Sequence, residues 1–287
     1  MTAFFVVIIA LGFAFSYVYN DQAILYFAVI FSVLMNVGAY WFSDKLVLKL
    51  YRAVPATRDE HRDLWNVVEN LAITAGLPMP RLYIIPDPAP NAFATGRNRK
   101  HAVVAVTSGL LQILDRTELE GVIAHELAHI GNRDMLLSTV IVVLVGFVTL
   151  LSDMFLRMSF FSGRRNSDEK GGAGQIVMLI GITLAILSPI VALIMQLAIS
   201  RKREFLADAS GALLTRYPKG LADALVKISS YSGGPMMKAN NATAHLFISN
   251  PFGRSAQSRG SFLRGLFMTH PPVAQRVAIL RGMKDNK

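Results

Sequence analysis

Residues 121–134 read Gly-Val-Ile-Ala-His-Glu-Leu-Ala-His-Ile-Gly-Asn-Arg-Asp and carry the most specific chemistry in the chain. His125 and His129 are four apart, so on an α-helix they stand one turn above each other on one face. Two imidazoles so placed can grip one zinc ion. Glu126, roughly 100° further round the helix, can reach a water there and serve as general base. The surrounding residues predict the helix itself. Thr117 with Glu120 forms a capping-box pattern, Leu119, Val122, Ile123, Leu127 and Ile130 supply apolar positions, and Gly131 suits a C-terminal cap.

A catalytic zinc takes three protein ligands and keeps one position open. One extended form of the motif places a third histidine six residues after the second, following a glycine. Here those positions hold Met135 and Asn132, so that form is excluded. The remaining histidines are His61, His101, His245 and His270. A glutamate on a separate helix is the alternative, and Glu204 is the best candidate. It lies in Arg201-Lys202-Arg203-Glu204-Phe205-Leu206-Ala207-Asp208. Asp208, four residues on, shares its helix face and can accept a hydrogen bond from a ligating imidazole.

The elements that must hold these residues are unusually apolar. The chain is 53% hydrophobic and 17% charged, too greasy for an ordinary soluble domain. Ala3–Tyr17, Ala23–Phe42, Met135–Leu151 and Ile176–Ile199 are uncharged stretches. Ile176–Ile199 and Ala23–Phe42 reach the ~20 residues of a membrane span, and the other two approach it. Four such stretches predict an integral membrane protein. The first has no preceding Lys or Arg and no small-residue cleavage site, so it reads as an uncleaved anchor.

Basic residues orient the spans. Lys45, Lys49, Arg52 and Arg58 follow the second stretch and Arg201-Lys202-Arg203 follows the fourth, which places both regions in the cytoplasm. The connection between stretches three and four disagrees, since it carries Arg157, Arg164, Arg165 and Lys170. Two spans separate His125 from Glu204, so both fall on one side of the bilayer. His129 lies about 9 Å of helix before the third stretch and Glu204 about 7 Å after the fourth. The metal site should therefore sit at the membrane surface. The net charge of +10 fits attraction to anionic lipid. It comes without the aromatic-basic pattern of a nucleic-acid binder. The chain has no cysteine, which excludes disulfides and thiolate ligands and suits a reducing cytosolic face.

Between these landmarks the pattern predicts helices over Asp59–Ala75, Glu204–Leu214, Leu221–Ser230 and Pro272–Arg281, and strands over Arg81–Ile85 and His101–Thr107. Ser43–Arg52 reads as a basic amphipathic segment along the membrane, and Gly233–Gly260 as a long loop.

Together these motifs resemble the HtpX-type membrane zinc endopeptidases, gluzincins related to the CAAX prenyl protease. The resemblance covers nearly the whole chain. It takes in two leading spans, the His125–His129 motif, two further spans, the Glu204–Asp208 motif, and Thr269-His270-Pro271-Pro272 with Arg276 behind it. It implies one zinc on His125, His129 and Glu204, with Glu126 as base and Asp208 supporting a ligand. It also implies that His270 and Arg276 face the substrate carbonyl as oxyanion donors. Asn91, Ala92 and Phe93 would belong to an edge strand that pairs with an extended substrate. The implied fold is a mainly α membrane protein of about four transmembrane helices carrying a small α+β gluzincin-type protease domain. Its segments would be 1–42 (two spans), 43–134 (first protease part), 135–199 (two further hydrophobic helices) and 200–287 (second protease part). Its partners would be the lipid bilayer and protein substrates, chiefly damaged or misassembled membrane proteins at the cytoplasmic face of the bacterial inner membrane. Processing of lipid-modified C-termini would want a chamber built from more spans. A scaffold with a structural zinc would leave Glu126 without a role.

Overall fold

The computed structural model describes residues 2–135, 181–183, 201–239, 243–253 and 271–283. The chain divides into two units, Met1–Trp41 with Val140–Leu197, and Phe42–Thr139 with Ala198–Lys287.

In the first unit, helix α1 (Thr2–Tyr19) turns at Asn20 into helix α2 (Gln22–Leu50). The Asp21 carboxylate accepts the Ala23 N–H at 2.9 Å and caps the start of α2. Gly12 allows the two helices to touch, since a Cβ there would lie 2.3 Å from the Ala28 Cβ. The polar groups inside α2 are satisfied along the helix. Ser32 Oγ donates to the Val29 carbonyl at 2.8 Å and Asn36 Nδ2 to the Ser32 carbonyl at 2.8 Å, as an apolar surrounding demands. Among the described residues one helical stretch, the 21 residues Gln22–Phe42, is long and apolar enough to cross a bilayer. Met135–Leu151, Ile176–Ile199 and the connection between them lie almost wholly outside the described residues. Ser43–Leu50 is not a separate surface segment. It continues α2 without a break, since no Gly or Pro interrupts it, and Val47 and Leu48 are buried.

In the second unit a four-stranded sheet runs in the order β1-β2-β4-β3, with β1 at Val54–Pro55, β2 at Arg81–Ile85, β3 at Ala92–Thr95 and β4 at Val103–Thr107. β2 and β4 are parallel, Arg81 opposite Val103, while β1 and β3 pair antiparallel on the two sides, Ala92 opposite Val106. β4 is buried throughout, and its Val-Val-Ala-Val run is the continuous apolar pattern of a covered strand. The helices are α3 (Arg62–Thr74), α4 (Ser108–Ile113), α5 (Arg116–Gly131), α6 (Arg201–Thr215), α7 (Pro218–Ser230) and α8 (Val273–Gly282). α3 ends as its sequence predicts, with Gly76 in the left-handed region at φ 63°.

The histidine helix α5 is the core of this unit and packs against α3, α6, α7 and β3. That is why it is apolar on almost every side. Its start lies two residues earlier than expected. Asp115 is the N-cap and closes a capping box with Glu118, whose carboxylate also takes Lys227 Nζ at 2.7 Å. Asp115 wins over Thr117 because its carboxylate accepts both the Glu118 N–H and the Thr117 hydroxyl.

Candidate active site

α5 presents His125 and His129 from one face, ring centroids 4.7 Å apart and nearly perpendicular. Their Nε2 atoms lie 3.2 Å apart. Glu204, in the first turn of α6, brings one carboxylate oxygen to 3.6 Å from His129 Nε2 and the other to 3.8 Å from His125 Nε2. The three donor groups all lie within 4.8 Å of one another. Two donors sharing a tetrahedral zinc are roughly 3.3 Å apart, so this set fits the ion. The opposite ring nitrogens argue the same way. Each Nδ1 faces a carboxylate, His125 toward Asp208 at 2.9 Å and His129 toward Asp134 at 3.2 Å. A proton held on each Nδ1 leaves Nε2 as the atom offered to a cation, which on binding would displace the second proton of His129.

α6 approaches α5 this closely because of Gly211, whose added Cβ would stand 3.0 Å from the His125 backbone nitrogen. Asp134 was not anticipated from sequence. It reaches His129 through the way α5 ends. The Asp134 N–H bonds the His129 carbonyl at 3.1 Å and the Arg133 N–H the Ile130 carbonyl at 3.3 Å, with Arg133 left-handed at φ 62°. That is a Schellman ending shifted two residues past the expected Gly131 cap. It folds Asp134 back under the ring. The only signal in the sequence is an acid just beyond the second histidine's helix.

Burial and the neighbouring charges together set the proton affinities. It depresses His125 to about 4, against the pull of Asp208. At His129 burial also lowers the pKa, but the Asp134 hydrogen bond and the Glu204 and Glu126 charges prevail and raise it to about 9. Burial raises the Glu126 carboxyl to about 7, while the Ala94 N–H, which donates to it, works in the opposite direction. Asp208 is depressed to about 2 because its bonds to His125 and Arg276 outweigh burial.

The cavity over these groups is lined by Ala94, Met135, His245, Leu246 and Ile248 as well as by the acid and histidine side chains. Arg276 does not line it. Its guanidinium is fully enclosed and grips Asp208 behind His125, so the expected oxyanion role is not what this geometry offers. A buried guanidinium requires a carboxylate partner, and Asp208 is the one at hydrogen-bond distance. His270 lies outside the described residues.

The expected substrate strand is also displaced. β3 is an edge strand, and its residues 92 and 94 point their backbone groups away from β4. The Ala92 carbonyl is taken by the Ile248 N–H at 3.0 Å. The Asn91 side-chain amide holds both backbone groups of Ser249, donating to its carbonyl at 2.9 Å and accepting its N–H at 3.1 Å. Phe93 is buried edge-to-face against Phe247, which also meets Tyr51. Part of the expected loop Gly233–Gly260 is thus packed along β3, because Phe247 gives it an anchor. Of the edge, Ala94 faces Glu126 and the cavity.

This arrangement coincides with comparisons to known proteins. Peptidase family M48 matches residues 58–284. The chain is 47% identical over 283 residues to the "Protease HtpX homolog" of Caldanaerobacter subterraneus subsp. tengcongensis, covering 98% of this chain and 92% of the relative. It is 46% identical over 278 residues to the homologue of the same name from Thermococcus sibiricus, covering 95% and 91%. The crystal structure of S. mikatae Ste24p aligns with 95% of this chain and 62% of its own at a TM-score of 0.55 and 19% identity, a likeness of fold alone. A profile match over most of the chain, near-full-length relatives of one kind and a two-histidine, one-glutamate cluster at the expected positions lead to one assignment: the chain belongs to peptidase family M48, as a membrane-associated metalloprotease of the HtpX type.

Proposed function

We propose that the protein is a zinc-dependent endopeptidase of the bacterial inner membrane that cleaves damaged or misassembled membrane proteins at the cytoplasmic face. The observation that carries this reading is the convergence of His125 Nε2, His129 Nε2 and Glu204 beside a buried glutamate and a strand edge. Zinc held by those three residues would supply polarisation of the scissile carbonyl and acidification of a water. The chain's own groups do the rest. Glu126, buried beside the three ligand side chains, is placed to take a proton from the attacking water and pass it to the departing amine. Asp208 and Asp134 hold the two rings with Nδ1 protonated and Nε2 presented. The low exposure of His125 and Glu126 keeps bulk water from competing.

Ala94 of β3 lines the cavity beside Glu126, so an extended backbone aligned there would bring its scissile carbonyl to the ligand set. The basic flanks Lys45–Arg58 and Arg201–Arg203 support cytoplasmic placement. A purely structural zinc would give Glu126 no task. The test is cleavage of casein or a membrane protein by purified protein, with and without a chelator, alongside Glu126→Gln. Activity should vanish in both cases, with zinc retained by the variant. Chelator-resistant cleavage, or appreciable turnover by Glu126→Gln, would refute the mechanism.

A further inference from the structure

Arg276 sits 68 residues beyond Asp208, on α8, yet its guanidinium ends beside the metal site. Nε donates to one Asp208 oxygen at 2.8 Å and Nη2 to the other at 2.6 Å. Nη1 reaches the Ile248 carbonyl at 3.4 Å and stands 4.0 Å from Glu204. Each of its nitrogens therefore faces a partner within the chain. An oxyanion donor needs an N–H aimed at the reacting carbonyl, and Arg276 is absent from the cavity wall.

The shared atom decides what the residue does. The Asp208 oxygen that takes Nη2 is the same one that lies 2.9 Å from His125 Nδ1. A lone carboxylate turns easily about its last torsion, which is broad and two-fold. A two-point guanidinium fork fixes its plane. The fixed oxygen then fixes which His125 nitrogen carries the proton and where Nε2 points.

We propose that Arg276 is a positioning residue of the metal site, holding Asp208 in the plane that orients His125, so that metal affinity depends on the C-terminal helix. This rests on the reading of His125 as a zinc ligand. Arg276→Lys keeps the charge and loses the fork. In the full-length protein, zinc affinity measured by chelator competition should weaken by roughly 10–100-fold. Turnover at saturating zinc should recover to within about a hundredfold of the parent, the lower bound for losing an oxyanion donor. Unchanged zinc affinity, or a turnover still further down at saturating zinc, would overturn the proposal. If Arg276→Lys does not fold, the double variant Asp208→Asn with Arg276→Met leaves no unpaired buried charge. It should show the same loss of zinc affinity, and parental affinity there would also overturn it. His125→Ala separates the two levels: undiminished zinc in that variant removes the ligand assignment itself, whereas zinc lost there but kept in Arg276→Lys removes only the positioning role.

Discussion

At the scale of single residues, each histidine of the pair has its own acid. Asp208 serves His125 from the neighbouring helix, and Asp134 serves His129 from the turn that ends the histidine helix. The two should not behave like a ligand when removed. Glu204→Ala deletes a donor and is expected to leave folded protein largely free of zinc. Asp134→Asn keeps the shape and should cost roughly 10–100-fold in metal affinity or activity. Metal analysis of the two purified variants checks both. Full zinc stoichiometry in Glu204→Ala would move the third ligand elsewhere, and an Asp134→Asn titration matching the parent would free His129 of its acid.

At the scale of elements, the site depends on how closely helices approach α5. Gly121 meets α7 so tightly that an added Cβ would lie 2.5 Å from the Leu221 nitrogen and 2.7 Å from its Cα. Alanine is the better helix former by up to about 1 kcal/mol. The clash is with backbone, however, and overpacking of that kind costs about 1–3 kcal/mol. Gly121→Ala should therefore lower the thermal midpoint, and a rise would mean that α7 can retreat freely. A second element-level device is Tyr51, buried against Phe93 and Phe247 with its hydroxyl bonded to Thr243. Burial raises it from 10.0 to about 12, against the Thr243 bond. The fold favours the neutral phenol, so this contribution is whole below pH 10 and is lost as pH climbs through 12. The loss is about 2–3 kcal/mol. Unfolding curves from pH 9 to 12 should steepen for the parent relative to Tyr51→Phe. Parallel curves would exclude Tyr51 from that loss.

At the scale of the whole molecule, the orientation of the spans decides which side of the bilayer carries the chemistry. The cysteine-free chain makes single-cysteine labelling clean. With cysteines placed at Thr57, Ser167 and Ser232 in turn, an impermeant thiol reagent should reach position 167 in intact cells. The other two should label only after lysis. Protection at all three positions would turn the third and fourth stretches into a hairpin that does not cross, accounting for the basic residues between them. Labelling at position 57 from outside would invert the orientation and remove a cytosolic quality-control role.

What the sequence determined by itself was spacing and pattern within single elements. A spacing of four on a helix aligns His125 with His129, a turn of α6 aligns Glu204 with Asp208, and the β2 strand and the α3 end follow from local pattern and Gly76. The apolar stretch of α2 is legible for the same reason, since length and composition suffice. The tertiary structure alone decided how the histidine helix ends and which distant parts meet. It took Arg276 from the substrate side and put it behind Asp208. It filled the outer edge of β3 at Asn91 and Ala92 with Ile248 and Ser249, which lie 158 residues from Asn91 in the case of Ser249. It swung Asp134 under His129 through a left-handed arginine where a glycine cap at 131 was expected. Such contacts are sums of many weak packing terms and one or two buried polar bonds. No periodicity along the chain records them, because the partner is chosen only once both surfaces are built.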